Sequence, residues 1–200
     1  MHISEGVLSS QILIAGWAGT CAGVAFGLKK TSDYKIVRTA LLSSAFFLAS
    51  LVIIRIGAGS THLSFIAPMG IILGWGAFPA VFVALLLQAF LFHFGGLIVL
   101  GANTFAMAFP ALFVHLVFGK IIRESQNKFN VIIFSFIAGA LAVIMGASIA
   151  GAFLGLTDRN FLTAVKILLI AHVPLALVEG LATVFLISWL KKAAPEFINS

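Results

Sequence analysis

The chain opens Met1-His2-Ile3-Ser4-Glu5-Gly6, which sets an α-amine one residue away from an imidazole. An amine, the intervening amide nitrogen and the His2 ring can close two fused chelate rings on one cation once each nitrogen has lost its proton. A fourth ligand has to come from elsewhere, and His62, which ends the small-residue turn Gly57-Ala58-Gly59-Ser60-Thr61-His62, is the candidate. Of the other histidines, His93 stands beside Gly95-Gly96 and is a candidate to orient a ligand from behind. His115 falls within an apolar run without an evident partner and reads as helix packing. His172 and Glu179 are seven residues apart, about two helical turns, so they share a face that Pro174 can bend. On its own a histidine at position two carries little weight, because chain ends fray. The elements that would position these residues therefore decide the matter.

With 62% hydrophobic and 9% charged residues and a mean hydropathy of +1.18, the 200-residue chain has the composition of a polytopic membrane protein. The formal net charge of +6 sits between apolar runs and acts as a topology signal, with no nucleic-acid footprint. The one cysteine, Cys21, excludes an internal disulfide and reads as a small packing residue. No basic leader with a cleavage site is present, so Met1 is expected to survive as the terminus, retained because His2 is bulky.

Apolar runs of about 20 residues mark spans. Ser10 to Leu28 is the first, with Ala15, Gly19 and Gly23 at four-residue spacing on a nearly bare face that suits either packing within the chain or docking of a partner. Val37 to Ile56 follows. Leu63 to Leu73 is half a span, interrupted by Gly74-Trp75-Gly76-Ala77-Phe78-Pro79 before Ala80 to Phe94, and short helices of this kind border cavities. The glycine-punctuated stretch Gly95 to Asn103 is expected to cover the cavity, and the remaining spans are Thr104 to Phe118, Val131 to Leu154 and Ala164 to Leu190. Nine Lys and Arg residues fall on one side and only Arg55, Arg159 and Lys166 on the other, which predicts seven transmembrane helices in an all-α bundle, N-terminus outside and C-terminus inside. This puts Met1-His2, His62 and the glycine loop on the same side. One domain is expected, with residues 1–9 as a metal-chelating segment, 10–192 as the bundle and 193–200 as a cytoplasmic tail.

Met1-His2-Ile3-Ser4-Glu5-Gly6-Val7-Leu8, the histidine after the small-residue turn, Gln88-Ala89-Phe90-Leu91-Phe92 leading into Gly95-Gly96, Gly101-Ala102-Asn103-Thr104, and His172-x-Pro174-x-Ala176-x-x-Glu179-Gly180 together resemble the CbiM/NikM family. Its members are substrate-binding S components of energy-coupling factor transporters for cobalt and nickel, and the resemblance runs from the first residue into the last span. It implies a seven-helix bundle into which the N-terminus folds back, in the cytoplasmic membrane of a prokaryote. It further implies that the transported metal, Co2+ or Ni2+, is held by the terminal amine of Met1, the amide nitrogen and imidazole of His2, and His62. Glu5, Ser64, His93, Asn103, His172 and Glu179 are the candidates to support those ligands. The implied partners are a transmembrane coupling subunit, ATPase subunits and a small auxiliary membrane protein, with Ala15, Gly19 and Gly23 as the docking face. No prosthetic group is implied. Two departures stand out: Ala106 occupies the region where the family often has a second asparagine, and His93-Phe94 falls in a variable segment. Four nitrogens in a plane suit nickel(II) better than cobalt(II), whereas the resemblance favours cobalt, so the metal stays open between the two.

The chain has no G-x-x-x-x-G-K-[ST] loop to supply energy itself and no H-E-x-x-H zinc motif. The rival readings are a membrane haem or redox protein using His93, His115 and His172, and a structural subunit that binds no metal.

Overall fold

The computed structural model describes the backbone of residues 3–56 and 59–199, and the side chains there except at 33, 34, 53–56, 59–61 and 199. Met1 and His2 lie outside the described residues.

Helices that face lipid can be apolar all round, and they touch where small residues let backbones approach. The chain forms α1 (Ser10–Lys30), α2 (Asp33–Ser50), a hairpin of β1 (Ile53–Ile56) and β2 (Gly59–His62), α3 (Ile66–Leu73), α4 (Ala77–Phe92), α5 (Leu100–Val114), α6 (Lys120–Glu124), α7 (Lys128–Thr157), α8 (Leu162–Ala193) and α9 (Glu196–Asn199). A π-helical turn, His115–Gly119, joins α5 to α6. Among the described residues, five segments are long and apolar enough to cross a membrane: Ser10–Lys30, Ile66–Phe92, Leu100–Glu124, Lys128–Thr157 and Arg159–Ala193. The protein is an all-α multi-pass membrane protein, and among the described residues the hairpin is its one small sheet.

The expected break at Gly74 is real. Gly74 has φ 56°, a left-handed conformation that favours glycine, and a 3-10 turn over Gly74–Gly76 reverses the chain. Before the turn, α3 runs alongside α5, with Gly70 against Ala111 and Gly74 against the His115 ring. After it, α4 returns antiparallel to α1, with Phe78 on Gly23 and the Phe82 ring 6.2 Å from that of Trp17. Elsewhere α7 and α8 form the most extensive pair, meeting at Gly139 and Gly180, where backbone faces backbone.

Three expectations change. The second apolar run was expected to stay helical to Ile56, but α2 ends at Ser50 and the β-branched Ile53, Ile54 and Ile56 form a strand, with Ile53 paired to His62. The face of α1 is divided: Gly16, Gly19, Gly23 and Gly27 approach Ala102, Phe105, Phe78 and Trp75 within the chain, while Ala15, Ala18, Cys21 and Ala22 are exposed. Gly19 and Gly23 thus serve internal packing, and Cys21 is not a packing residue. The segment after residue 193 is docked, since Ile198 is 1% exposed and the Arg38 guanidinium lies 4.8 Å over the Phe197 ring.

Candidate metal centre

His62 ends β2 and is buried. Its Nδ1 lies 3.0 Å from the Leu63 carbonyl oxygen. A carbonyl only accepts, so Nδ1 carries the proton and Nε2 presents the lone pair that a metal would need. Burial pulls the His62 imidazole from its ordinary 6.5 down to about 3, so the ring is neutral at any physiological pH. His172 repeats the pattern from α8: Nδ1 is 2.7 Å from the Leu168 carbonyl oxygen, and Nε2 is buried with no hydrogen-bond partner among the described residues. The two imidazoles line a cavity of about 10 Å³ whose other walls include Ser64, Ile66, Met107 and Leu175. That volume holds about one water or one ion.

Glu179, 1% exposed, fixes the backbone next to His62. Its carboxylate accepts from the Ser64 amide, from Ser64 Oγ at 2.9 Å, and from the Phe65 amide at 3.1 and 3.2 Å. These amides open α3, so the carboxylate also sits where a helix N-terminus favours negative charge. Phe65 takes a left-handed φ of 46° there, and the turn is held in place by the same bonds. Spacing predicted that His172 and Glu179 share a face; in the structure Glu179 bonds the Ser64 and Phe65 backbone, and His172 lines the same cavity as His62.

The N-terminal segment is strapped down by the glycine loop. Asn103 makes two hydrogen bonds of 3.0 Å with the backbone of Ile3, accepting from its amide and donating to its carbonyl. The Glu5 amide donates to Gly95 at 3.2 Å, and its carboxylate accepts from the Ile98 amide at 3.0 Å. Gly96 has φ 130°, and a Cβ on it would come within 2.1 Å of the Glu5 side chain, so this position has room only for glycine. Ile3 is itself buried, packed with Val99, Ala102 and Ala150. Asn103 and Met107 are four residues apart on α5, so the strap is anchored one helical turn from the histidine cavity on the same face.

The structure therefore brings together His62, Ser64, His172 and Glu179, and separately Glu5 and Asn103 around Ile3. His93 stands apart: it is exposed at the C-terminal end of α4, with a left-handed φ of 57°. His115 is not an isolated mid-span residue. It packs over Gly74 and its Nδ1 is 3.4 Å from Arg123 Nη1, at the basic end of the bundle. Sequence reasoning gave His172 only a supporting place, although its buried Nε2 opens on the same cavity walls as His62; the signal was the i−4 carbonyl that takes the Nδ1 proton, which a helix starting before Leu168 would have supplied. Among the described residues no three His, Cys, Asp or Glu side chains converge as a metal cluster. A cavity of about 10 Å³ also leaves no room for a haem between His62 and His172.

Residues 2–197 match the model of the CbiM family, described as a cobalt uptake substrate-specific transmembrane region. A Haemophilus influenzae protein named for metal transport is 37% identical over 201 residues, covering 100% of this chain and 97% of that protein. The cobalt transport protein CbiM of Kyrpidia tusciae is 31% identical, covering 100% and 86% respectively. A crystal structure of a transition metal transporter superposes with a TM-score of 0.82 at 28% identity, covering 96% of this chain and 93% of the other.

Proposed function

Given that the chain belongs to the CbiM family of cobalt uptake substrate-specific transmembrane proteins, we propose that it binds divalent cobalt or nickel as the substrate-specificity component of an energy-coupling factor importer in the cytoplasmic membrane of a prokaryote. The ligands are the Met1 amine, the amide nitrogen and imidazole of His2, and Nε2 of His62. The observation that carries this reading is the anchoring of Ile3 by Asn103, one turn of α5 from the His62 cavity. Two residues of chain reach about 7 Å, and one helical turn is about 5.4 Å, so an N-terminus tethered at Ile3 can reach His62.

In this reading Asn103, Glu5 and the glycine loop aim the terminus, while Glu179 and Ser64 aim His62. The residues of this chain bind, orient and dehydrate the ion; the proteins it resembles by name are transport proteins, and no step of chemistry on the substrate is required. ATP hydrolysis belongs to partner subunits, reached through a coupling subunit that docks on the exposed alanines of α1, Ala15, Ala18 and Ala22, with a small auxiliary membrane protein as a further partner. The basic end, with Lys30, Lys35, Arg123 and Lys191, faces the cytoplasm.

The test is a titration of Co2+ and Ni2+ into the purified chain beginning at Met1, beside a version with one extra residue in front of it. The extension keeps every side chain and moves only the amine. Affinity should fall by at least tenfold on extension; equal affinity would remove the amine from the ligand set.

A further inference from the structure

The His172 side chain is only 5% exposed, and its two ring nitrogens are used differently. Nδ1 lies 2.7 Å from the Leu168 carbonyl oxygen, one turn earlier on α8. A carbonyl only accepts, so this contact keeps the proton on Nδ1 and leaves Nε2 as a bare lone pair. Nε2 is itself buried and has no hydrogen-bond partner among the described residues. A buried acceptor left open costs free energy that an apolar side chain of the same shape would not.

The described walls of the cavity that His172 shares with His62 offer nothing to fill that need. Ile66, Met107, Val143 and Leu175 carry no donor, and the one hydroxyl, Ser64 Oγ, donates to the Glu179 carboxylate at 2.9 Å. Besides a proton donor, the partner an imidazole lone pair takes is a metal ion. Histidines that bind metal are held as His172 is held, with the second ring N–H given to a carbonyl or carboxylate that fixes tautomer and orientation. His62 has the same arrangement, its Nδ1 facing the Leu63 carbonyl. At about 10 Å³ the cavity takes a single small occupant, so an ion held there by His62 also meets His172.

We propose that Nε2 of His172 is a further ligand to the transported ion, a fifth nitrogen outside the plane of the other four, and that it shifts the site's preference toward cobalt(II). The proposal rests on the reading that the ion binds His62 together with the Met1 and His2 nitrogens. An amine, an amide nitrogen and an imidazole from consecutive residues chelate in one plane, and His62 completes a square. Four nitrogens in a square suit nickel(II) or copper(II) and suit cobalt(II) poorly. A donor brought in from α8, a separate element, supplies cobalt(II) with what the square lacks and adds little to nickel(II).

X-ray absorption of the cobalt-loaded chain in detergent tests this, together with titration of Co2+ and Ni2+. In the wild type the imidazole scattering should correspond to about three rings per cobalt, those of His2, His62 and His172, and to one fewer in His172→Phe. The wild-type count does not depend on any variant folding. His172→Phe should lower Co2+ affinity at least about tenfold and Ni2+ affinity by less than about threefold. His62→Phe should abolish binding of both metals. Scattering from only two rings in the wild type, or Co2+ and Ni2+ affinities that move together in His172→Phe, would overturn the role of His172 and leave the His62 site standing. Unchanged binding in His62→Phe would overturn the reading beneath it, and the proposal with it.

Discussion

Asn103 and Ile3 pair through two hydrogen bonds of 3.0 Å, side-chain amide against backbone, as two strands would. Only an amide side chain can donate and accept at once in this geometry. The pair fixes the backbone of Ile3, and it does so one turn of α5 away from the histidine cavity.

Asn103→Ala should therefore lower Co2+ and Ni2+ affinity about 10- to 100-fold, the scale on which residues behind metal ligands act. Asn103→Asp, which keeps the acceptor and loses the donor, should fall in between. Calorimetric titration of the three proteins checks the order.

Glu179→Ala should destabilise the chain by roughly 3 kcal/mol, because the buried Ser64 and Phe65 amides lose their acceptor. Glu179→Gln keeps one acceptor oxygen and should cost less. Thermal unfolding in detergent measures both, and a milder effect for Ala than for Gln would contradict the role given to this carboxylate.

The pH response separates His62 from the terminus. The folded His62 value of about 3 lies below its unfolded value near 6.5. Between these values the unfolded chain takes up a proton that the folded chain refuses, so the stability His62 contributes is full above pH 6.5 and is lost as pH falls toward 3. Melting temperature should drop across that window in the wild type and drop less in His62→Asn. Metal binding should also weaken from pH 7.5 to 5.5, but His62 is already neutral there. The proposed source is the Met1 amine and the His2 imidazole, with ordinary values of about 8 and 6.5. A pH-independent affinity would count against both.

On α1 the two classes of small residue should separate. Gly19→Leu drives a side chain into the Phe105 ring, which a Cβ at this position already meets at 2.6 Å, and should lower thermal stability. Ala18→Leu points outward and should leave stability and metal titration intact while reducing transport in the assembled complex. Unimpaired transport by Ala18→Leu would remove this face as the docking surface.

Much of this was legible in the sequence because the membrane simplifies the reading. Span lengths, the break at Gly74-Pro79 and the same-side placement of His62 and the glycine loop all follow from apolar run length and the distribution of lysine and arginine. The hairpin was missed because Val52, Ile53 and Ile54 are as apolar as the helix before them, and hydropathy does not distinguish a strand from a helix end. The glycines of α1 were ambiguous for a related reason: spacing marks a bare face, but the rings that fill it, Phe78 and Phe105, belong to distant elements. Glu179 was recognisable as a carboxyl group needing a partner, yet that partner is the backbone of Ser64 and Phe65, and backbone amides leave no mark in a sequence.

The short helix α3 is pinned from opposite ends. The carboxylate of Glu179 holds its N-terminal amides, and the guanidinium of Arg123 holds the Ile71 carbonyl near its C-terminus, each charge matching the helix dipole. Eight residues make a rod about 12 Å long, too short to bend and fastened through other helices at both tips. Such a rod spans the distance between the histidine cavity, beside its N-terminal end, and the His115–Arg123 contact, beside its C-terminal end.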